Sequence, residues 1–175
     1  MLDRDYVRMM AEYNGWMNSK VYEACATLDD AERKRDRGAF FKSIHGTLNH
    51  LLWADRANLS RLLAWDITIG KPSDVLFDDF EPLRTERKRL DDILLAWARE
   101  LPEGALSTPF EMRSVAYRRR RRMPLALLVV QVFNHQTHHR GQLTTLLSQQ
   151  GIDLGGTDLP FMPFADSLCE ELPFE

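Results

Sequence analysis

The chain has 175 residues, of which 44% are hydrophobic and 28% charged, and its formal net charge at pH 7 is -3. This composition is typical of one globular domain of ordinary size, and it excludes a chain-wide attraction to nucleic acid or anionic membranes. No apolar run approaches the roughly 20 residues that span a bilayer, and the acidic N-terminal residues are unlike a signal peptide. We therefore expect a single domain over residues 1–175, located in the cytoplasm, without a membrane partner.

Hydrophobic periodicity predicts a largely helical chain. Apolar residues recur at intervals of three and four along four long segments, as they do on one face of a helix. Ser43 is suited to cap the start of the second long segment, and Pro82 is suited to the first turn of the third. A short additional helix follows the turn at Asp29 and Asp30. In chain order, the predicted helices cover about 5–27, 31–35, 43–65, 82–101 and 124–150.

Helical periodicity fails between residues 102 and 123. Residues 112–117 predict a short strand or an irregular segment, and the five consecutive arginines Arg118–Arg122 follow it. We expect the charged run Arg87–Arg89 to be mostly solvated, and the tail over 152–175 to pack across the helices. The predicted fold is an all-α four-helix bundle with a short irregular or hairpin excursion before the last long helix.

The arginine run Arg118–Arg122 has two interpretations. Guanidinium groups bind carboxylates and phosphates in a bidentate manner, so the run could bind phosphate, nucleic acid or an acidic thiol cofactor. The chain is net acidic, however, and the run has no interleaved aromatic residues, which argues against nucleic acid as a partner. A solvated loop, or one that forms salt bridges between subunits, is the favoured interpretation.

All five histidines fall in two short windows of the sequence. His135 and His139 are about 40° apart around a helix and share a face, whereas His138 is about 60° from His135 and about 100° from His139. His45 and His50 are about 140° apart, so both cannot easily point into one site. His50 lies among apolar residues of the predicted core, and His45 in the first turn is expected to be exposed.

This geometry predicts a three-histidine metal site formed by His50, His135 and His139. Three protein ligands leave an open coordination position, as in catalytic rather than structural sites. Zinc and nickel suit imidazole, and ligand type alone does not exclude iron, manganese or cobalt. The alternative is that these histidines are packed or hydrogen-bonded without a metal. The residue after His135 is Gln136, which cannot take a proton, so the HExxH pattern of zinc peptidases is absent.

Further residues are candidates for the surroundings of the metal. Gln142 lies seven residues after His135, close to the same helical face. Asp55 could orient a histidine, because carboxylates commonly accept hydrogen bonds from metal-bound imidazoles, or it could pair with Arg56 or Arg61. Asn14 and Trp16, in the first helix, could line a pocket above the metal. The complete candidate set is Gln142, Asp55, His138, Asn14 and Trp16.

Several stretches resemble the DinB family of DinB/YfiT-like metal-dependent proteins, which is distinct from the DNA polymerase of the same name. The resemblance covers nearly the whole chain, and the paired Leu-Asn-His and His-Gln-Thr-His-His-Arg-Gly-Gln motifs are its most specific part. It implies a four-helix bundle whose metal is held by His50 of the second long helix and by the His135–His139 pair of the last. The matching stretches are residues 13–18, 37–55, 133–143 and 158–162.

The resemblance also carries functional expectations. Family members commonly form homodimers, and the better understood ones include thiol-dependent S-transferases and a maleylpyruvate isomerase that use low-molecular-weight thiols. We therefore expect a metal-dependent transferase or hydrolase acting on a small molecule, with no general base identified. The alternatives are a non-catalytic metal protein that braces the bundle or responds to stress, and an interaction protein acting through Arg118–Arg122. That run replaces the Gly-containing turn that family members often carry before the last helix.

Overall fold

The structure, a computed structural model, describes residues 2–114, 118–170 and 172, and it is mostly helical. The predicted helices are confirmed, with ends that differ by a few residues. A two-stranded sheet lies between the fourth and fifth helices. The elements are α1 (Arg4–Ala26), α2 (Asp30–Lys34), α3 (Ile44–Leu62), α4 (Phe80–Arg99), β1 (Pro109–Ser114), β2 (Arg119–Pro124) and α5 (Leu125–Ser148), with short 3-10 helices at Ala105–Ser107, Leu159–Phe161 and Pro163–Ser167.

Local sequence signals explain where α3 begins and ends. The Ser43 side chain accepts a hydrogen bond from the Gly46 N–H at 3.0 Å, which is the N-cap that the sequence predicts. The helix ends at Leu62, earlier than the predicted Trp65, and Ala64 adopts a left-handed conformation with φ of 51°. The chain therefore leaves the helix sharply and returns over it towards α4.

Each of the four long helices packs against two of the others. Helix α1 contacts α4 and α5, and α3 also contacts α4 and α5. The tail packs against α1, as predicted for its described part: the Tyr13 hydroxyl donates to the Thr157 carbonyl oxygen at 2.8 Å, and Met162 is buried. Within the described residues, no helix has the length and apolar character that crossing a membrane requires. The largest fully buried side chains include Ile44, Leu48, Leu52, Leu59, Leu83, Leu90, Leu94, Leu143 and Leu147.

The excursion before the last helix is a hairpin. Strands β1 and β2 are antiparallel, with Pro109 opposite Pro124. The arginines of β2 are exposed, and Arg120 and Arg122 form ion pairs with Glu111 of β1. The part of the predicted segment 112–117 beyond residue 114 lies outside the described residues. The ion pairs within the hairpin support the interpretation of a solvated basic segment.

The expectation that Arg87 is solvated is wrong, because its side chain is 3% exposed. Its guanidinium pairs with Asp55 of α3 at 2.7 Å and with Asp91 of α4 at 2.9 Å. Burial opposes the charge on Arg87, but the carboxylates of Asp91 and Asp55 raise its pKa above the ordinary value. The two carboxylates therefore hold a charged guanidinium inside the protein.

Polar side chains of α1 and α5 complete this buried ionic network. Asn14 and Asn18 donate to Asp91 at 3.0 and 2.9 Å. Gln136 donates to Asp55 at 2.6 Å, and Arg140 donates to Asn14. The network thus joins α1, α3, α4 and α5 through hydrogen-bonded groups with balanced charge, as buried charges require.

Replacing Arg87 tests how much this network stabilises the fold. We expect Arg87→Met to lower the free energy of unfolding by about 3–5 kcal/mol, because two buried carboxylates lose their cation. The control is Lys88→Met. Lys88 pairs with Asp92 on the surface, where the two side chains are 76% and 63% exposed, so its effect should stay below about 1 kcal/mol. Urea unfolding measures both, and equal losses would contradict the role of the network.

Candidate metal centre

Three imidazoles meet where α3 faces α5. One nitrogen from each of His50, His135 and His139 can be chosen so that all three lie within 4.8 Å of one another. The Nε2 atoms of His50 and His135 are 3.3 Å apart. His135 and His139 lie one turn apart on α5, and His50 projects from α3, so the facing helices bring together the residues that the sequence predicts.

The other ring nitrogens of two of these histidines have hydrogen-bond partners. Nδ1 of His50 donates to the Pro72 carbonyl oxygen at 2.9 Å, and Nδ1 of His139 donates to Oε1 of Gln142 at 2.8 Å. Carbonyl oxygens only accept, so each neutral ring carries its proton on Nδ1 and its lone pair on Nε2. These contacts fix ring orientation in the way that outer partners of metal-bound histidines do.

The environment keeps the three imidazoles neutral. Burial lowers the pKa of His50 and His139 below the ordinary value. Burial, together with the nearby His139 and His50 rings, lowers the pKa of His135 to about 4. Protonation is therefore disfavoured at neutral pH, and the lone pairs remain available.

The donor set fits a borderline divalent metal. The 3.3 Å between the Nε2 atoms of His50 and His135 is less than twice the metal–nitrogen distance of roughly 2.0–2.1 Å found for zinc, so one ion can contact both. Neutral imidazoles in a partly buried site are the donors that zinc, nickel, iron and cobalt accept.

Two aromatic side chains stack on the His50 ring. Phe41 stacks on it with 3.8 Å between ring centroids and 16° between planes, and Trp53 lies on it at 5.9 Å and 17°. Phe41 also meets the His139 ring edge-on at 5.7 Å. Neither aromatic residue is among the site residues that the sequence predicts. Trp53 had a usable signal, since it follows His50 by three residues on α3, but Phe41 lies in a non-periodic segment.

Comparison with known proteins agrees with this architecture. The model of the DinB family matches residues 1–172. The chain belongs to the DinB family. Its structure is similar to the crystal structure of a DinB-like protein from Bacillus cereus ATCC 10987, with a TM-score of 0.61 and 20% identity, over 81% of this chain and 90% of that one. At this identity, the likeness supports a shared fold only. No match is found among curated proteins.

In this DinB-family chain, the expectation that His45 is exposed is wrong. His45 is 3% exposed, and its Nε2 donates to the Phe77 carbonyl oxygen at 2.9 Å. Asn49 donates to the same carbonyl, and its Oδ1 accepts from the Leu76 and Phe77 N–H groups at 2.8 and 3.0 Å. The segment before α4 therefore folds over the first turn of α3 and buries His45 outside the three-histidine cluster.

Among the described ion pairs, Asp55 does not pair with Arg56 or Arg61, which was one of the two alternatives for its role. Asp55 points into the buried ionic network and pairs with Arg87 instead. Its negative charge still acts on His135, where it favours the protonated ring. Its role in orienting that histidine stays a prediction.

The remaining candidate residues divide between the cluster and other parts of the fold. His138 is exposed beside His139, with 4.7 Å between ring centroids, and its Nε2 is 3.3 Å from Nε2 of Gln142. Asn14 belongs to the buried ionic network. Trp16 packs against side chains of its own helix. Among the described contacts of the three imidazoles, neither Asn14 nor Trp16 appears.

The hydrogen bonds of Asn49 provide a test of how the segment before α4 is held. We expect Asn49→Ala to lower the free energy of unfolding by about 1–3 kcal/mol, because the Leu76 and Phe77 N–H groups lose their acceptor. Hydrogen exchange at these two amides should accelerate. Asn134→Ala removes an exposed asparagine and serves as the control. Unchanged amide exchange in Asn49→Ala would contradict this role.

Proposed function

We propose that the protein is a four-helix bundle in which His50, His135 and His139 bind one divalent transition-metal ion. The observation that carries the proposal is the convergence of their nitrogens within 4.8 Å. The hydrogen bonds that leave Nε2 of His50 and His139 available support it. The pairing of α1 and α3 with α4 and α5 supports the bundle. Zinc or nickel suits these donors best, and iron, manganese or cobalt are alternatives.

We further propose that the protein is a metal-dependent transferase or hydrolase acting on a small electrophile. Three protein ligands leave an open position, and a divalent ion lowers the pKa of a water or thiol bound there, which makes a nucleophile available near neutral pH. The resemblance to thiol-dependent members of the family supports a low-molecular-weight thiol as co-substrate.

The surrounding residues would act by orienting the ligands. Gln142 would hold His139 through the hydrogen bond to Nδ1, and the Pro72 carbonyl would hold His50. Asp55 would orient the His135 ring through the attraction of its negative charge. Gln136 is no substitute for the glutamate of zinc peptidases, because a carboxamide takes no proton and this one donates to Asp55.

A non-catalytic metal site is the second candidate. It is favoured by the burial of His50 and His139, which are 6% and 8% exposed beneath aromatic rings. The free energy of metal binding can contribute to folding, so an ion held by buried ligands on two helices can stabilise their packing. The ion would then brace α3 against α5 or respond to stress, without turnover.

The assembly that we propose is a cytoplasmic homodimer. The family resemblance supports it, and the apolar side chains of Leu127 and Val130, 56% and 37% exposed on α5, are suited to an interface. The ion pairs from Arg120 and Arg122 to Glu111 favour a solvated hairpin over a surface for nucleic acid.

Substitution of one ligand and its neighbour tests metal binding. We expect purified wild-type protein to carry stoichiometric metal and His139→Ala to lose it, because two imidazoles hold the ion weakly. The matched control, His138→Ala, removes the exposed adjacent ring and should retain metal. Elemental analysis by mass spectrometry measures both. Equal metal content in wild type and His139→Ala would contradict the proposed ligand set.

Removal of the metal separates the catalytic from the structural proposal. With a panel of low-molecular-weight thiols and an electrophile such as 1-chloro-2,4-dinitrobenzene, we expect chelation to abolish thiol transfer and added zinc or nickel to restore it. The Tm should change little. If the protein shows no metal-dependent thiol transfer or hydrolysis before chelation, and chelation lowers the Tm strongly, the structural ion is favoured.

A further inference from the structure

The segment between α2 and α3 is a tight turn tied by backbone hydrogen bonds. The Lys42 N–H donates to the Ala39 carbonyl oxygen, and the Ser43 N–H donates to the Phe41 carbonyl oxygen, both at 2.8 Å. Lys42 adopts a left-handed conformation with φ of 69°, which ordinary side chains rarely do. The backbone of Phe41 is thereby placed directly against the first turn of α3.

Gly46 permits this approach. A methyl group added at Gly46 would overlap the Phe41 carbonyl oxygen and lie 3.3 Å from its carbonyl carbon. Backbone atoms cannot move aside as a flexible side chain can, so the whole turn would have to shift. Glycine is unfavourable inside a helix relative to alanine. Its presence in α3 therefore has a packing reason, whereas a methyl group at Gly141 of α5 would meet nothing within 4 Å.

The turn delivers the Phe41 ring to two of the three clustered histidines. The ring stacks on His50 of α3 and meets His139 of α5 edge-on. The Trp53 ring is also nearly parallel to the His50 ring, at the longer centroid distance of 5.9 Å, so Phe41 makes the closer of these two stacking contacts. The hydrogen bond to Pro72 holds Nδ1 of His50 at one point, and the stacking restricts rotation of the ring plane.

We infer that Phe41 is a positioning residue that holds His50 for metal binding, and that Gly46 is required to admit it. The inference rests on the proposed metal-binding function. If the stack is lost, the His50 ring gains rotational freedom that it must give up again when it binds the ion. Loss of outer partners of metal-bound histidines weakens binding by roughly 10–100-fold.

The first experiment compares two glycine-to-alanine substitutions inside helices. Zinc affinity is measured by competition with a chromophoric chelator for the full chain carrying Gly46→Ala or Gly141→Ala. We expect Gly46→Ala to weaken zinc binding by at least about tenfold, and Gly141→Ala to bind as the wild type does. The visible spectrum of cobalt-loaded Gly46→Ala should also differ from that of the wild type, because the orientation of a ligand has changed.

The second experiment replaces the ring itself. Phe41→Leu keeps an apolar side chain but removes the aromatic plane, whereas Phe41→Tyr keeps the plane. We expect Phe41→Leu to weaken zinc binding by about tenfold. Phe41→Tyr should bind zinc with the affinity of the wild type. Tm values of the metal-free proteins identify a purely structural effect, which would change Tm and leave the zinc affinity of the folded protein unaltered. If Gly46→Ala does not fold, the Phe41 pair decides.

The results separate the positioning role of Phe41 from the proposed metal-binding function. A wild-type protein that binds neither zinc nor cobalt would overturn the proposed function. A wild-type protein that binds zinc, with Gly46→Ala and Phe41→Leu binding within about twofold of it, would overturn the positioning role alone. Weaker binding in both variants, with recovery in Phe41→Tyr, would establish it.

Discussion

The buried pairing of Arg87 with Asp55 and Asp91 is the constraint on which the helix arrangement depends. A charge buried without a partner costs several kcal/mol, so α3 and α4 can pack only where these groups meet. Gln136 and Arg140 extend the same requirement to α5, and the asparagines of α1 complete it. Apolar packing alone would tolerate small shifts of one helix against another, whereas this network does not.

The network also fixes the position of the histidine cluster. On α5, Gln136 directly follows His135, and Arg140 directly follows His139. Adjacent residues are about 100° apart around a helix, so α5 presents one face to the buried network and the neighbouring face to His50. A rotation of α5 by one residue would bury the wrong side chains against Asp55 and separate the imidazoles. The stability of the fold and the geometry of the site therefore depend on the same helix orientation.

Periodicity was sufficient to predict the long helices and the three clustered histidines, because helical spacing and clustering are local properties. It failed where distant segments decide burial. Arg87 falls on the apolar stripe of α4, four residues after Leu83 and three before Leu90, and that position indicates burial more strongly than its charge indicates exposure. The burial of His45 depends on the segment that folds over α3, and the placement of Phe41 depends on a left-handed turn. Neither has a periodic signature.

The physical role of a metal ion follows from what already holds the helices together. Where a fold lacks other ties, metal-binding energy becomes folding energy, and the ion is structural. Here, α3 and α5 are joined without an ion through Asp55 and Gln136, and two of the three imidazoles are oriented by protein hydrogen bonds. A site organised in advance has little need of a metal as a brace. The free energy of metal binding can instead hold an ion that keeps one coordination position open. This favours the catalytic over the structural interpretation.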